Sequence, residues 1–179
     1  KRQVNNMELL TQFPKNNRSV IIICGHYASY EWMLFLANDF GASTYGIYTP
    51  LSNQYFDKLV KKIRVRYNSY LITTKQTITV LTENKKNGLL TINGFASDQT
   101  PKKNKAFHWN KFMGVNVPIH TGAEMLSKKL DLPVVFFAVK RIKRGHYEAT
   151  FETLAENPKD YKDYAVSYTH LTLPTMLMV

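Results

Sequence analysis

Apolar and polar positions along the chain change period repeatedly. Ser19-Val-Ile-Ile-Ile-Cys24 is a continuous β-branched run, the pattern of a central strand buried on both faces. Gly25 breaks it, and residues 27–40, rich in Trp, Met, Leu and Phe, predict an apolar helix ended near Gly41. Residues 44–48 read as a second strand, stopped by Pro50. Asn53 suits an N-cap, and Phe56, Leu59, Ile63 and Tyr67 recur at helical spacing, with Lys58, Lys62 and Arg66 on the other face. A strand at 70–73, a weak helix at 76–87 and a strand at 88–93 continue the alternation. Residues 94–117 show neither period, and a loop of that length in a compact domain is usually functional, which places it beside the site. Residues 121–131 return to helix, 133–139 form another buried-type strand, and 147–154 a last strand pairing through the turn Arg144-Gly145-His146. Such βα repetition predicts an α/β fold, a mainly parallel central sheet flanked by helices.

Composition narrows the class. With 179 residues, 44% of them hydrophobic, the chain has material for one core, and a single domain over 1–165 is expected. The single cysteine, Cys24, excludes an internal disulfide framework, and no C-x-x-C spacing suggests zinc; a reducing compartment fits. No apolar run reaches the roughly 18–20 residues needed to cross a bilayer, and residues 1–6 do not resemble a signal peptide. The chain opens on Lys1 and runs almost at once into folded pattern, so an upstream segment is expected. Val166 to Thr175 matches one reading frame of a common sequencing adapter, so 166–179 are expected to be a non-native tail. Twenty-four Lys and Arg against 13 Asp and Glu give a net charge of +11, with basic clusters at 58–66, 102–111 and 140–144. That balance favours an anionic partner: nucleic acid, an acidic protein or anionic lipid.

The sharpest chemical feature is Gly25-His26-Tyr-Ala-Ser-Tyr-Glu31, an H-x4-E spacing where a buried strand turns into a helix. On a regular helix, residues five apart point roughly 140° away from each other, so His26 is expected before the helix, its ring folding back over the first turn to reach Glu31. A carboxylate there fixes the imidazole tautomer and stabilises the imidazolium, making His26 a general base for an alcohol. The alcohol then attacks a thioester carbonyl directly, its oxyanion held by helix N-terminal N–H groups or a nearby Arg. Cys24 is the rival nucleophile, though a thiol inside an apolar run is more often inert packing.

In this context the sequence resembles the lipid A biosynthesis acyltransferases, a branch of the lysophospholipid acyltransferase superfamily with an H-x4-D/E motif after the first core strand. The resemblance spans roughly Asn17 to Leu154. Tyr48-Thr-Pro-Leu-Ser-Asn53 is similar to that family's Y-R-P-L-x-N, Arg64-Val-Arg66-Tyr67 to its R-x-R-F-G, and Ser97-Asp98-Gln99 to its A-D-Q. Phe112-Met-Gly114 and Thr121-Gly122 follow in the places of F-F-G and T-T-G. Thr49, Asn68 and His120 stand where the family usually has Arg, Gly and Thr. The resemblance implies transfer of a fatty acyl group from acyl carrier protein to a hydroxyl of a phosphorylated lipid A precursor. It places this at the cytoplasmic face of the inner membrane, with a membrane-anchoring helix upstream and with no metal or organic cofactor. Acyl carrier protein is acidic and the glycolipid carries phosphates, so the lysine clusters suit both.

The resemblance makes His26 and Glu31 catalytic and directs attention to Arg64, Arg66, Asp98, Gln99, Thr121 and Gly122 as substrate-binding residues. Arg64 and Arg66 fit either a phosphate contact or a solvated helix face, and Asp98 either orients a basic residue or substrate or serves a turn before Pro101. Trp109, Phe112 and Met113 fit acyl chains, a membrane interface or ordinary core. His108, His146 and His170 have no partners at metal-ligand spacing. Two other readings stay open: a lysophospholipid or aminolipid acceptor, and a basic nucleic-acid-binding module, which no helix-turn-helix, RNP or zinc-finger pattern supports.

Overall fold

Val20 to Ile23 are all 0% exposed, as a run apolar on both faces requires, and around them a seven-stranded sheet is built. The computed structural model describes residues 2–36, 42–65, 69–101, 104 and 106–161; Arg66 and the expected tail at 166–179 lie outside them. The strands are β1 (Arg2–Val4), β2 (Val20–Cys24), β3 (Ser43–Tyr48), β4 (Ser69–Thr73), β5 (Thr91–Ala96), β8 (Val134–Lys143) and β9 (His146–Ala155), in spatial order β1-β9-β8-β2-β5-β3-β4. All neighbours pair in parallel except β8 and β9, which form an antiparallel hairpin through Arg144 and Gly145. The mainly parallel α/β fold is as expected.

Helices cover both faces. On one, α1 (Met7–Lys15) and a 3-10 helix (Tyr30–Leu36) share a core of Leu10, Phe13, Met33, Leu34, Phe137 and Phe151. On the other, α3 (Thr77–Lys86) and α4 (Gly122–Leu130) bury Leu81, Ala123 and Leu130 against Ile21, Ile23 and Phe136. β1 and α1 have no counterpart in the sequence reading. Asn6 ties them down, since its amide donates to Phe151 O at 2.6 Å and accepts from Phe151 N at 3.0 Å.

The apolar helix expected over 27–40 is, among the described residues, the seven-residue 3-10 helix. Close packing accounts for its tightness against the sheet: a Cβ on Gly94 would stand 2.8 Å from Met33 Sδ, and one on Gly46 3.0 Å from Leu34 Cδ2. The aperiodic stretch at 94–117 holds a separate hairpin, β6 (His108–Phe112) with β7 (Val115–Ile119). Met113 and Gly114, both at positive φ (48° and 80°), make its two-residue turn, as the twist of paired strands demands.

Helix α2 (Gln54–Arg64) opens as expected: Asn53 Oδ1 accepts from Tyr55 N at 3.0 Å and Phe56 N at 3.1 Å. Its orientation is unusual for an amphipathic helix. Asp57 is its buried residue, while Phe56, Leu59 and Ile63 are exposed. The polar face is held inward by Asp57, which accepts from Leu51 N at 3.0 Å and pairs with Lys61 at 2.7 Å. Asn53→Ala should free the two capped amides, and their hydrogen-exchange protection should fall roughly five-fold, equivalent to ~1 kcal/mol. Unchanged protection at Tyr55 and Phe56 would refute the cap's contribution.

Candidate active site

The site forms where parallel strands end. β2 and β5 are neighbours with Cys24 opposite Ala96, and Ser97 N extends the ladder by donating to Cys24 O at 3.0 Å. Two residues beyond each strand end stand His26 and Asp98, so register alone brings them together. Asp98 Oδ2 accepts from the His26 backbone N–H at 2.8 Å, and Asp98 Oδ1 lies 2.5 Å from His26 Nδ1. One carboxylate thus fixes both the backbone and the ring of His26. Of the roles open to Asp98, the geometry places its carboxylate against a basic residue, His26.

His26 precedes the 3-10 helix, as the five-residue spacing requires, but its ring does not pair with Glu31. Ala28 at φ 51° turns the chain, and Tyr30 then meets the imidazole edge-on with ring centroids 5.1 Å apart. Asp98 occupies Nδ1 from the neighbouring strand. Glu31 is taken by Arg64, whose Nε donates to Glu31 Oε1 at 2.8 Å and whose Nη2 contacts the same oxygen. The expected His26–Glu31 pair is therefore replaced by two pairs, His26–Asp98 and Glu31–Arg64. Arg64 sits on the inward face of α2 and is held by a carboxylate, so it is not part of a freely solvated face.

The site is accessible: the His26 side chain is 36% exposed and that of Asp98 21%. Burial pushes the Tyr30 hydroxyl pKa up, and the Glu31 charge adds to that. Cys24 is buried, with Sγ 3.8 Å from Met33 Sδ, and burial, assisted by the charge of Asp98, pushes its thiol up to about 12. A thiol so held is almost wholly protonated at neutral pH, which favours packing over nucleophilic chemistry for Cys24.

Gln99 is exposed beside Asp98. Thr121 is buried and Gly122 exposed at the start of α4; the Thr121 hydroxyl faces Met125 Sδ at 3.5 Å. Because α4 runs back to the start of β8, both stand toward the carboxyl edge that carries His26, but among the described residues no hydrogen bond joins them to His26 or Asp98. Among the described residues no three His, Cys, Asp or Glu side chains gather as metal ligands, and no helix is long and apolar enough to cross a membrane.

Residues 1–167 match the bacterial lipid A biosynthesis acyltransferase family. The chain belongs to that family. The fold of this lipid A acyltransferase family member is similar to that of the 1-acyl-sn-glycerophosphate acyltransferase PlsC of Thermotoga maritima, at 12% identity and a TM-score of 0.50, over 99% of this chain and 69% of that one. No curated protein sequence matches it. The resemblance to the lipid A biosynthesis acyltransferases is thereby borne out, and the protein is a member of an acyltransferase family. The sequence allowed Asp98 to orient a basic residue but did not show that this residue is His26. The available signal was the D-Q block directly after a buried strand, which becomes informative once that strand is placed beside β2.

Proposed function

We propose that the protein transfers a fatty acyl group from an acyl carrier protein thioester to a hydroxyl of a phosphorylated glycolipid, a lipid A precursor, at the cytoplasmic face of the inner membrane. The supporting observation is the His26–Asp98 pair at the open carboxyl edge of the sheet, in a chain of this family. Asp98 engages Nδ1, which leaves Nε2 as the nitrogen that takes the acceptor's proton. The alcohol oxygen bonds to the thioester carbonyl carbon as Nε2 receives that proton. The tetrahedral oxyanion then collapses, the C–S bond breaks, and the imidazolium returns the proton to the departing thiolate. Asp98 stabilises the imidazolium between the two steps. Glu31 acts differently from a direct partner of His26: it holds the Arg64 guanidinium at the site edge, where the remaining N–H donors suit a phosphate or the developing oxyanion. Basic surface from the 24 Lys and Arg suits both acidic carrier and anionic acceptor.

The test is transfer of labelled acyl groups from acyl carrier protein to a lipid A precursor, with lysophosphatidate as the competing acceptor and His26→Ala as control. Label should enter the precursor only with intact His26. Transfer to lysophosphatidate alone would move the acceptor to the lysophospholipid class, and equal transfer by His26→Ala would remove His26 as base.

A further inference from the structure

The outward apolar face of α2 is the largest departure in this fold from ordinary amphipathic packing. Asp57, Lys61 and Arg64, at i, i+4 and i+7, form one side of the helix and each is engaged within the domain: Asp57 turns inward and anchors Leu51 N, Lys61, still 41% exposed, pairs with Asp57 and lies over the Tyr48 ring at 5.3 Å, and Arg64 reaches Glu31. Phe56, Leu59 and Ile63, at i, i+3 and i+7, form another side and are 55%, 52% and 47% exposed, with Tyr55 at 87% beside them. Lys58 and Lys62 are exposed next to that stripe. A helix with this arrangement in water leaves its apolar side unsatisfied while its charged side is already committed within the domain.

We propose that the Tyr55–Phe56–Leu59–Ile63 face of α2 seats on an anionic lipid bilayer. Apolar rings and aliphatic side chains enter the boundary between headgroups and acyl chains, and Lys58 and Lys62 meet lipid phosphates at its rim. The choice of a lipid surface over a second copy of the chain rests on charge: two copies facing each other would oppose Lys58 and Lys62 of each with those of the other, in a protein of net charge +11. An anionic bilayer neutralises the same lysines. The consequence for the site is geometric. Arg64 in the last turn of α2 is bonded to Glu31, five residues after His26, so seating α2 holds the His26 edge close to the bilayer where a lipid headgroup presents its hydroxyl. The inference deepens the proposed function, resting on its lipid acceptor.

Co-sedimentation of the full chain with phosphatidylglycerol vesicles, and with pure phosphatidylcholine vesicles, measures it. The wild type should favour the anionic vesicles, and Phe56→Ser with Leu59→Ser should weaken that binding about ten-fold or more, as should added salt for the lysine contribution. Transfer to a detergent-dispersed acceptor should stay near wild type in the double variant, which shows that the fold and site survive. Vesicle binding unchanged in the double variant overturns the proposal, as does a wild-type dimer that the double variant dissolves, since the face would then cover a second copy. If binding depends on the face but the wild type transfers to no lipid acceptor, the docking surface stands and the acceptor reading fails.

Discussion

Replacing Asp98 by Asn should lower acyl transfer by about 10²–10⁴-fold while thermal stability stays near that of wild type. The carboxylate makes two contacts, accepting from the His26 backbone N–H through one oxygen and facing Nδ1 with the other. An Asn side chain can keep the first with its carbonyl oxygen, which turns its amide N–H₂ toward Nδ1. Nδ1 must then accept, so the imidazole carries its proton on Nε2, and the nitrogen that has to receive the alcohol's proton is occupied. The loss is one of tautomer as well as charge. Glu31→Gln serves as the comparison, because Gln keeps a carbonyl oxygen for Arg64 Nε and leaves the imidazole unchanged; it should cost far less. Initial rates with saturating donor and acceptor, alongside thermal melts, decide between them. Full activity in Asp98→Asn with severe loss in Glu31→Gln would return the base-orienting role to Glu31.

This contrast shows how far the sequence reaches. The strands β2, β3, β4, β5, β8 and β9 and the helices α2, α3 and α4 were legible within a few residues, because most carry their own period or punctuation: the isoleucines of β2, the Asn53 cap, Gly145 between the last two strands. His26 was legible too, since a histidine just beyond a doubly buried strand has few structural reasons to be there. Its partner was not. Asp98 lies 72 residues away and reaches His26 only because β5 inserts between β2 and β3, a choice of strand order that leaves no trace in local periodicity. The nearer Glu31 looked more suitable on spacing, and it was lost to Arg64 because α2 turns its polar face inward. That same turn reverses the usual inference from an apolar stripe: Phe56, Leu59 and Ile63 read as helix correctly, but spacing alone does not say which side of a helix meets the domain. The β6–β7 hairpin escaped because its turn, Met113-Gly114, lacks an Asn or Asp at the first left-handed position.

Met33→Ala should destabilise the protein by about 2–5 kcal/mol, and adding Gly94→Ala to it should recover part of the loss. Met33 is 5% exposed and its thioether fills the space above Gly94, with Sδ 2.8 Å and Cε 2.9 Å from where a Cβ would stand. In the wild type, Gly94→Ala forces that flexible end aside, which costs about 1–3 kcal/mol, at the lower end because the thioether can rotate. With Met33 truncated, the new methyl occupies void instead of colliding, and alanine also suits a strand interior better than glycine does. The two substitutions should therefore couple, with the double variant more stable than Met33→Ala alone by about 0.5 kcal/mol or more. Urea unfolding of the four proteins at constant m measures this; strictly additive losses would mean that the 3-10 helix is not seated on Gly94. Function follows the same contact. Met33 sits in the helix that carries Tyr30 and Glu31, so loosening it displaces the aromatic edge against His26 and the carboxylate that holds Arg64. Acyl transfer should fall in Met33→Ala although none of the reacting groups has changed, and part of it should return with stability in the double variant, because the methyl at position 94 then fills the space that Met33 left beneath the helix and reseats it on β5.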